Sequence, residues 1–493
     1  MSSATKNSGR LMATALFCAI INGCTMGVDQ SMMTNLNMID QYLTYFNLDS
    51  NLEGLFSASI NIGSVFGGFF AAQIIDIPKV GRKGGILISA ILTFLGVGLQ
   101  TGARNRAMFC VARIIIGVAV TINAVSAPTY VAEMVKAEQR GFFAGVYMAS
   151  WYLAAIITTG ISLGTYQNAS SWAWRGISLW QIAPSVLCLP VLFFIPETPR
   201  FLVYTNREEE ALQVLKDYHG NGEETALVAH EFAEIKQVLQ YEKEAKIGWL
   251  DMLRTRGNRW RLWIIFWMGV ASQLTGSNIV GTYLGLFLEN AGYTSTRRQI
   301  VLNLGLQISN LFFACAGSYL TEGLGRVPIL FYSTVVMGIC LFIMGGLQKV
   351  YGSGDNINGT NALIFLVFLF SGTYAFSFTP LCVSYPVEIV NYSIRTKGMA
   401  FSQVVTFGFG FFNQYVIPIA LDHISWKFYM INGAYNFAQA ALIWWTFVEV
   451  KGMTLEEIDV KFDGELHFNP ADSENEEVLQ ATQVEKLDAE KSA

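Results

Sequence analysis

Charge is scarce in this chain: only 14% of its 493 residues are Asp, Glu, Lys or Arg, against 52% that are hydrophobic. So small a charged fraction over that length excludes a string of soluble domains, each of which needs a polar surface. Histidine is rarer still, with four in all. None stands in an H-E-x-x-H pair and no nucleophile sits beside an evident base, so neither an enzyme nor a metal centre is expected. The seven cysteines, Cys18, Cys24, Cys110, Cys188, Cys315, Cys340 and Cys382, fall inside apolar runs without C-x-x-C spacing, as packing residues do. A basic stripe is also missing. The net charge is −5 with its acidic excess largely in the C-terminal tail, which argues against nucleic acid as a partner.

What fills the chain instead is one apolar run after another. A bilayer core about 30 Å thick takes roughly 20 apolar residues per helix, and runs of that length lie near 12–34, 54–76, 84–102, 106–131, 142–164 and 176–196, then 261–290, 298–321, 327–349, 361–386, 397–422 and 427–448. The expected fold is an all-α membrane protein with twelve transmembrane helices in two six-helix bundles, 1–196 and 261–450, joined by a hydrophilic segment, 197–260, and followed by an acidic tail, 451–493. The polar Met1–Arg10 stretch leads into a long first run without a clear cleavage site, so that run stays as helix one. Charged stretches with apolar residues at three- and four-residue spacing, Arg207–Leu212 and Glu231–Lys246, predict short amphipathic helices bracing the ends of both bundles.

Lys6, Arg10, Lys79, Arg82, Lys83 and the basic residues from Arg200 to Arg261 favour cytoplasmic termini, although Arg104, Arg106, Arg297 and Arg298 fall in short loops on the other side. In that orientation two sequons, at Asn168 and Asn358, lie in outside loops where glycosylation can reach them.

Two charges stand where lipid-spanning helices are expected. Asp29 in helix one and Arg113 in helix four each cost a few kcal/mol in the membrane unless paired or wetted, and they are natural partners. Their approach favours the carboxylate, and their separation in an apolar setting favours the protonated acid, which couples proton binding to shape. A static pair holding helices one and four together is the alternative. One proton moving down ~100 mV releases about 2.3 kcal/mol and a pH unit adds about 1.4, enough for accumulation of several hundredfold. Helix seven carries Gln273, Thr275, Ser277, Asn278, Thr282 and Tyr283, a polar cluster suited to a hydroxyl-rich solute or to bonding between helices.

Several segments resemble one family in the same order. Arg113-Ile114-Ile115-Ile116-Gly117 is followed by Pro128, Tyr130, Glu133, Arg140 and Gly141, and Pro196-Glu197-Thr198-Pro199-Arg200-Phe201-Leu202 closes helix six. Gln273-x-x-Gly276-x-Asn278 with Tyr283, Glu322-x-x-Gly325-Arg326, Glu388 with Arg395, and Lys451-Gly452-x-Thr454-Leu455-Glu456-Glu457 come after. These resemble the sugar porter family of the major facilitator superfamily from Asn22 to Glu457. The Tyr385–Ile389 stretch and Asn413-Gln414-Tyr415 are similar to its fungal lactose and cellodextrin permeases. The resemblance implies a proton-coupled sugar carrier that works by alternating access, with the proton gradient as its energy source and no cofactor. It makes Asp29 and Arg113 the proton-coupling pair. It turns Gln273, Asn278, Tyr283, Asn310 and Ser272 toward the sugar, and sets Arg82, Glu133, Arg140, Glu197, Arg200, Glu322, Arg326, Glu388 and Arg395 in cytoplasmic charge networks that latch the outward-open state.

Departures bear on the solute. Ala155, Ser272 and Val383 replace larger family residues, which favours a disaccharide or oligosaccharide over a hexose. Asp76–Lys83 is a lengthened form of the D-R-x-G-R-R turn, so Asp76 is not carried over into the latch, and Val448-Glu449-Val450-Lys451-Gly452 replaces P-E-T-K-G without an assigned role. Expected partners are a small solute, protons and the lipid bilayer, with function as a monomer in the plasma membrane. Export of a non-sugar metabolite is the second reading. A sugar sensor is the third, and the short tail weighs against it.

Overall fold

The computed structural model describes residues 3–463 apart from 136–139, 221, 246–250, 291, 293, 352–356, 391–393 and 454. The side chains of Arg140, Glu322 and Arg395, named above, lie outside what it describes. All regular structure among the described residues is helical. The first half runs α1 (Ser3–Leu36), α2 (Asp40–Phe46), α3 (Ser50–Ile75), α4 (Gly81–Thr101), α5 (Arg106–Met134), α6 (Arg140–Thr165), α7 (Trp172–Trp180) and α8 (Ile182–Phe194). Between the halves lie α9 (Pro199–Tyr204), α10 (Glu208–His219) and α11 (Ala226–Ala245). The second half runs α12 (Arg256–Leu274), α13 (Ser277–Val280), α14 (Leu284–Asn290), α15 (Thr296–Leu324), α16 (Arg326–Tyr351), α17 (Ile357–Ile389), α18 (Arg395–Ile424) and α19 (Trp426–Thr446), with α20 (Leu455–Asp463) after it.

Eight spans in this set are long and apolar enough on their own to cross a bilayer. Counting α7 with α8 as one crossing and α12 to α14 as another gives the twelve that hydropathy predicts. The two sets of six meet along two seams, α3 against α18 and α6 against α15. Residues 197–260 do not brace both halves alike. Tyr218 and Leu239 join the core under the first half, and His219 Nε2 lies 3.3 Å from Met134 O. The second half is closed by α20, whose Ile458 and Phe462 are buried and whose Asp463 pairs with the fully buried Arg261. The tail expected from 451 onward therefore begins as a docked helix.

The face opposite the chain termini explains its own arginines. Arg106 donates from Nε to Phe46 O at 2.8 Å and from Nη2 to Asn47 O at 2.7 Å, closing the C-terminus of α2. Arg175 lies over the Tyr45 and Trp174 rings. Of the two sequons, Asn168 is exposed in a turn, where its Oδ1 accepts from Ser170 N and Oγ. Asn358 is not in a loop but in the first turn of α17, with Thr360 of the same sequon buried, because the helix begins earlier than hydropathy alone suggests.

Bare backbone sets the closest helix crossing. A Cβ on Gly117 of α5 would lie 2.1 Å from Ile60 O, and one on Gly63 of α3 would lie 1.9 Å from Ile114 O. Main chain cannot rotate away as a side chain can, so a larger residue must push α3 and α5 apart. Gly117→Leu should destabilise the protein by about 1–3 kcal/mol, read as a lower melting temperature of the detergent-purified protein. A melting temperature equal to that of the parent would mean that the two backbones are not in contact.

Candidate functional site

Asp29 and Arg113 meet, one turn along α5 from the Gly117 crossing. Arg113 Nη1 is 2.5 Å from Asp29 Oδ1, with the two side chains 1% and 8% exposed. Gln181, at the junction of α7 and α8, donates from Nε2 to the same oxygen at 2.6 Å, and Gln100 of α4 in turn donates to Gln181 Oε1 at 2.9 Å. Three crossings thus meet at one carboxylate, and α4 supports it through Gln181. The two glutamines were not singled out from sequence. Their signal was an amide inside an apolar run, which is expensive in a membrane unless it has a partner.

Helix seven is broken rather than continuous over 261–290. Gly276 has φ +91°, in the left-handed region that favours glycine, and separates α12 from the single turn of α13. The carbonyls released by the break are taken up by side chains of neighbouring crossings. Tyr374 donates to Ser272 O at 2.9 Å, Asn436 donates to Thr275 O at 3.0 Å, and Asn413 donates to Gln273 O. Irregular backbone at membrane depth is tolerated where its polar groups are satisfied in this way.

Next to the ion pair is a cleft of about 520 Å³ of empty space, part of it open to solvent. Asp29 and Arg113 form part of its wall, with Gln30, Ser57, Asn61 and Trp151 from the first half and Thr282, Phe407 and Gln414 from the second. Of the residues expected to face a solute, Gln273 and Asn278 bond to each other at 3.3 Å. Tyr283 is fully buried and donates to Gln414 O at 2.6 Å, while Ser272 donates to Gly269 O at 2.8 Å; neither lines the cleft. Asn310 on α15 also lies away from that wall, and its Oδ1 has no hydrogen-bond partner among the described residues. Ala155 opens no space, being fully buried with its carbonyl accepting from Ser31 Oγ at 3.2 Å.

At the face carrying the start of α1 and the end of α20 the two halves repeat one construction. In the first half Gly81 has φ +69°, Arg82 pairs with Glu133 at 3.3 Å and with Asp76 at 3.2 Å, and Glu197 accepts from Lys83 N at 3.2 Å. In the second half Gly325 has φ +93°, Arg326 pairs with Glu388 at 3.0 Å, and Glu449 accepts from Arg326 N at 3.1 Å and Val327 N at 2.9 Å. A Cβ on either glycine would lie within 3 Å of the glutamate: 2.3 Å from Glu197 Oε2 and 2.9 Å from Glu449 Oε2. Asp76 therefore belongs to the cluster despite the lengthened turn, and Glu449, given no role from sequence, is the counterpart of Glu197. Arg200 sits in the first turn of α9. These ion pairs join helices within a half.

A family profile described as Sugar (and other) transporter matches residues 15–462. The chain belongs to that family. Over 476 residues it is 29% identical to a high-affinity glucose transporter of Kluyveromyces lactis, covering 90% of this chain and 83% of the relative. It is 28% identical to the MFS glucose transporter mfs1 of Aspergillus flavus, over 91% and 89% of the two chains. The MFS-type transporter criB of Aspergillus cristatus is 25% identical over 96% and 98%. Among solved structures, the inward-open xylose transporter XylE of E. coli superposes with a TM-score of 0.75 at 21% identity, covering 92% of this chain and 100% of that one. This sugar-transporter family member is an integral membrane carrier with the major facilitator fold, and not an enzyme.

Two predictions follow from the repeated clusters of this family member. Glu449→Ala strips an acceptor from four backbone N–H groups, those of Arg326, Val327, Val450 and Lys451. It should lower stability by about 2 kcal/mol, as expected for hydrogen bonds to a charged group, and an unshifted thermal melt would contradict that. Burial pushes the Glu197 carboxyl above the usual glutamate range, partly offset by the Thr198 and Lys83 N–H groups and by Arg82. A carboxyl that holds its proton more tightly folded than unfolded adds stability in acid that is lost as pH rises through its raised value. The melting temperature should therefore carry a downward component with rising pH across that window, and Glu197→Gln should remove it. An identical slope in the variant would assign the pH dependence to other groups.

Proposed function

We propose that this protein imports a hexose together with protons by alternating access, its two halves, 1–196 and 261–450, rocking about the central cleft. The observation that carries the reading is the Asp29–Arg113 pair on the wall of that cleft. A titratable group that borders the solute space can pass between the two sides as the halves move, and its loss of the arginine in one state is what binds or releases the proton. Relatives named for glucose support a hexose. The preference for a disaccharide drawn from Ala155, Ser272 and Val383 is not carried forward, because Ala155 and Ser272 are packed in helix contacts and leave no extra room. The terminal-face clusters stiffen the cytoplasmic end of each half, since their ion pairs stay within a half, the carrier acts as a monomer, and the plasma membrane is its site. Export of another metabolite is the second reading, prompted by the relative criB, which is similar over nearly its whole length and whose name specifies no cargo.

Uptake of labelled glucose, xylose, lactose and cellobiose in a transporter-deficient cell, at two external pH values and with an uncoupler, tests both. Uncoupler-sensitive glucose uptake that rises in acid supports the symporter, and no uptake of any sugar by protein confirmed at the surface favours export. Asp29→Asn should abolish accumulation against a gradient while preserving exchange, since a neutral amide resembles the protonated acid. Accumulation that persists at the parental level in that variant would remove Asp29 from the coupling.

A further inference from the structure

The cleft wall carries amides that the coupling scheme leaves without a task. Gln30 follows Asp29 on α1 between residues that are nearly sealed: Val28, Asp29 and Ser31 are 2%, 6% and 2% exposed. Gln30 itself is exposed, lies on the wall of the cleft, and its side chain makes no hydrogen bond among the described residues. An amide held at membrane depth is tolerated where it faces a wet cavity, and one without a protein partner is ready for a ligand. From α3, Asn61 donates Nδ2 to Gln414 Oε1 of α18 at 3.0 Å, a bond across the two halves. Gly410 leaves these groups room. A Cβ there would lie 3.2 Å from Asn61 Oδ1 and 3.3 Å from Gln273 Oε1, so amides of both halves converge on bare backbone.

Resting on the sugar-carrier reading above, we propose that Gln30 and Asn61 are the solute-contacting residues of the first half, each hydrogen-bonding a different sugar hydroxyl. Gln30 offers its unused donor and acceptor to one hydroxyl. Asn61 exchanges its bond to Gln414 for a second, so the empty cleft keeps Asn61 and Gln414 paired and the solute replaces a contact between the halves. For Asn61 such an exchange adds little affinity but much selectivity, because a sugar lacking the matching hydroxyl gives up the Asn61–Gln414 bond without replacing it.

The test is competition of labelled D-glucose uptake by its monodeoxy analogues, in the parent, Gln30→Ala and Asn61→Ala. The parent should bind one analogue per amide about tenfold more weakly than glucose, the scale of one well-made hydrogen bond. Gln30→Ala should lose that discrimination at one hydroxyl and Asn61→Ala at another, each keeping the parent's discrimination at the remaining positions. Uniform weakening toward all analogues would mean a structural role and overturn the proposal, as would an unchanged profile. Asn61→Ser supplies the same comparison if the alanine variant does not reach the membrane. A parent that takes up no glucose at either pH overturns the sugar reading and this proposal with it; a parent that transports glucose while both variants keep its analogue profile overturns this proposal alone.

Discussion

A charge pair inside the first half governs what the rest of the structure must provide. Removing a carboxylate and a guanidinium from water costs several kcal/mol per ion, recovered only if they meet in good geometry and their remaining valences are filled. Asp29 and Arg113 meet these terms through Gln181, which donates to the same carboxylate oxygen, and through Gln100, which in turn holds Gln181. The close passage of α3 over α5 at Gly63 and Gly117, a turn away, fixes where Arg113 stands. Cleft and ion pair are therefore one construction, the pair being part of the cleft wall.

The repeated clusters at the terminal face tie each half together within itself. Arg82 with Glu133 and Arg326 with Glu388 tie helices of the same half together, and Glu197 and Glu449 hold the start of the next helix by its backbone N–H groups. Between the halves the contacts are of another kind, single neutral or partly exposed bonds: Asn61 to Gln414, Asn303 to Asn35, Tyr152 with Thr379, and Ser50 to Asp422. Each of these contributes about 1 kcal/mol and can be remade with water or solute. The charged ties lie within each half and the exchangeable ones between them, which is the division that the proposed rocking requires.

The crossings were legible in the sequence because hydropathy reports burial in lipid directly, and Asp29 and Arg113 stood out because a charge in such a run requires a partner. What escaped was set by long-range packing. The break in helix seven depends on Gly276 taking a positive φ and on Tyr374, Asn413 and Asn436 arriving from other crossings to cap the freed carbonyls. Tyr283 and Ser272 looked solute-facing because polarity alone does not reveal which way a residue points, and both are spent on backbone carbonyls. Glu449 was passed over because its motif is altered around it, although its carboxylate keeps the position that Glu197 holds in the other half. Arg106, one of the arginines that blurred the orientation, serves as a helix cap, a role that charge counting does not register.

The docked α20 sets a boundary on how the chain can be shortened or extended. Asp463 closes against Arg261 where Gly257 leaves no room for a side chain, while Phe462 covers the guanidinium and the edge of Trp260. Arg261 also donates to Ile389 O at 2.9 Å, so one cation links the base of helix seven, the end of α17 and the last docked turn. A truncation ahead of Asp463 would take the carboxylate from that buried cation. Among the described residues, the second half is therefore closed by a carboxylate rather than by the last apolar helix.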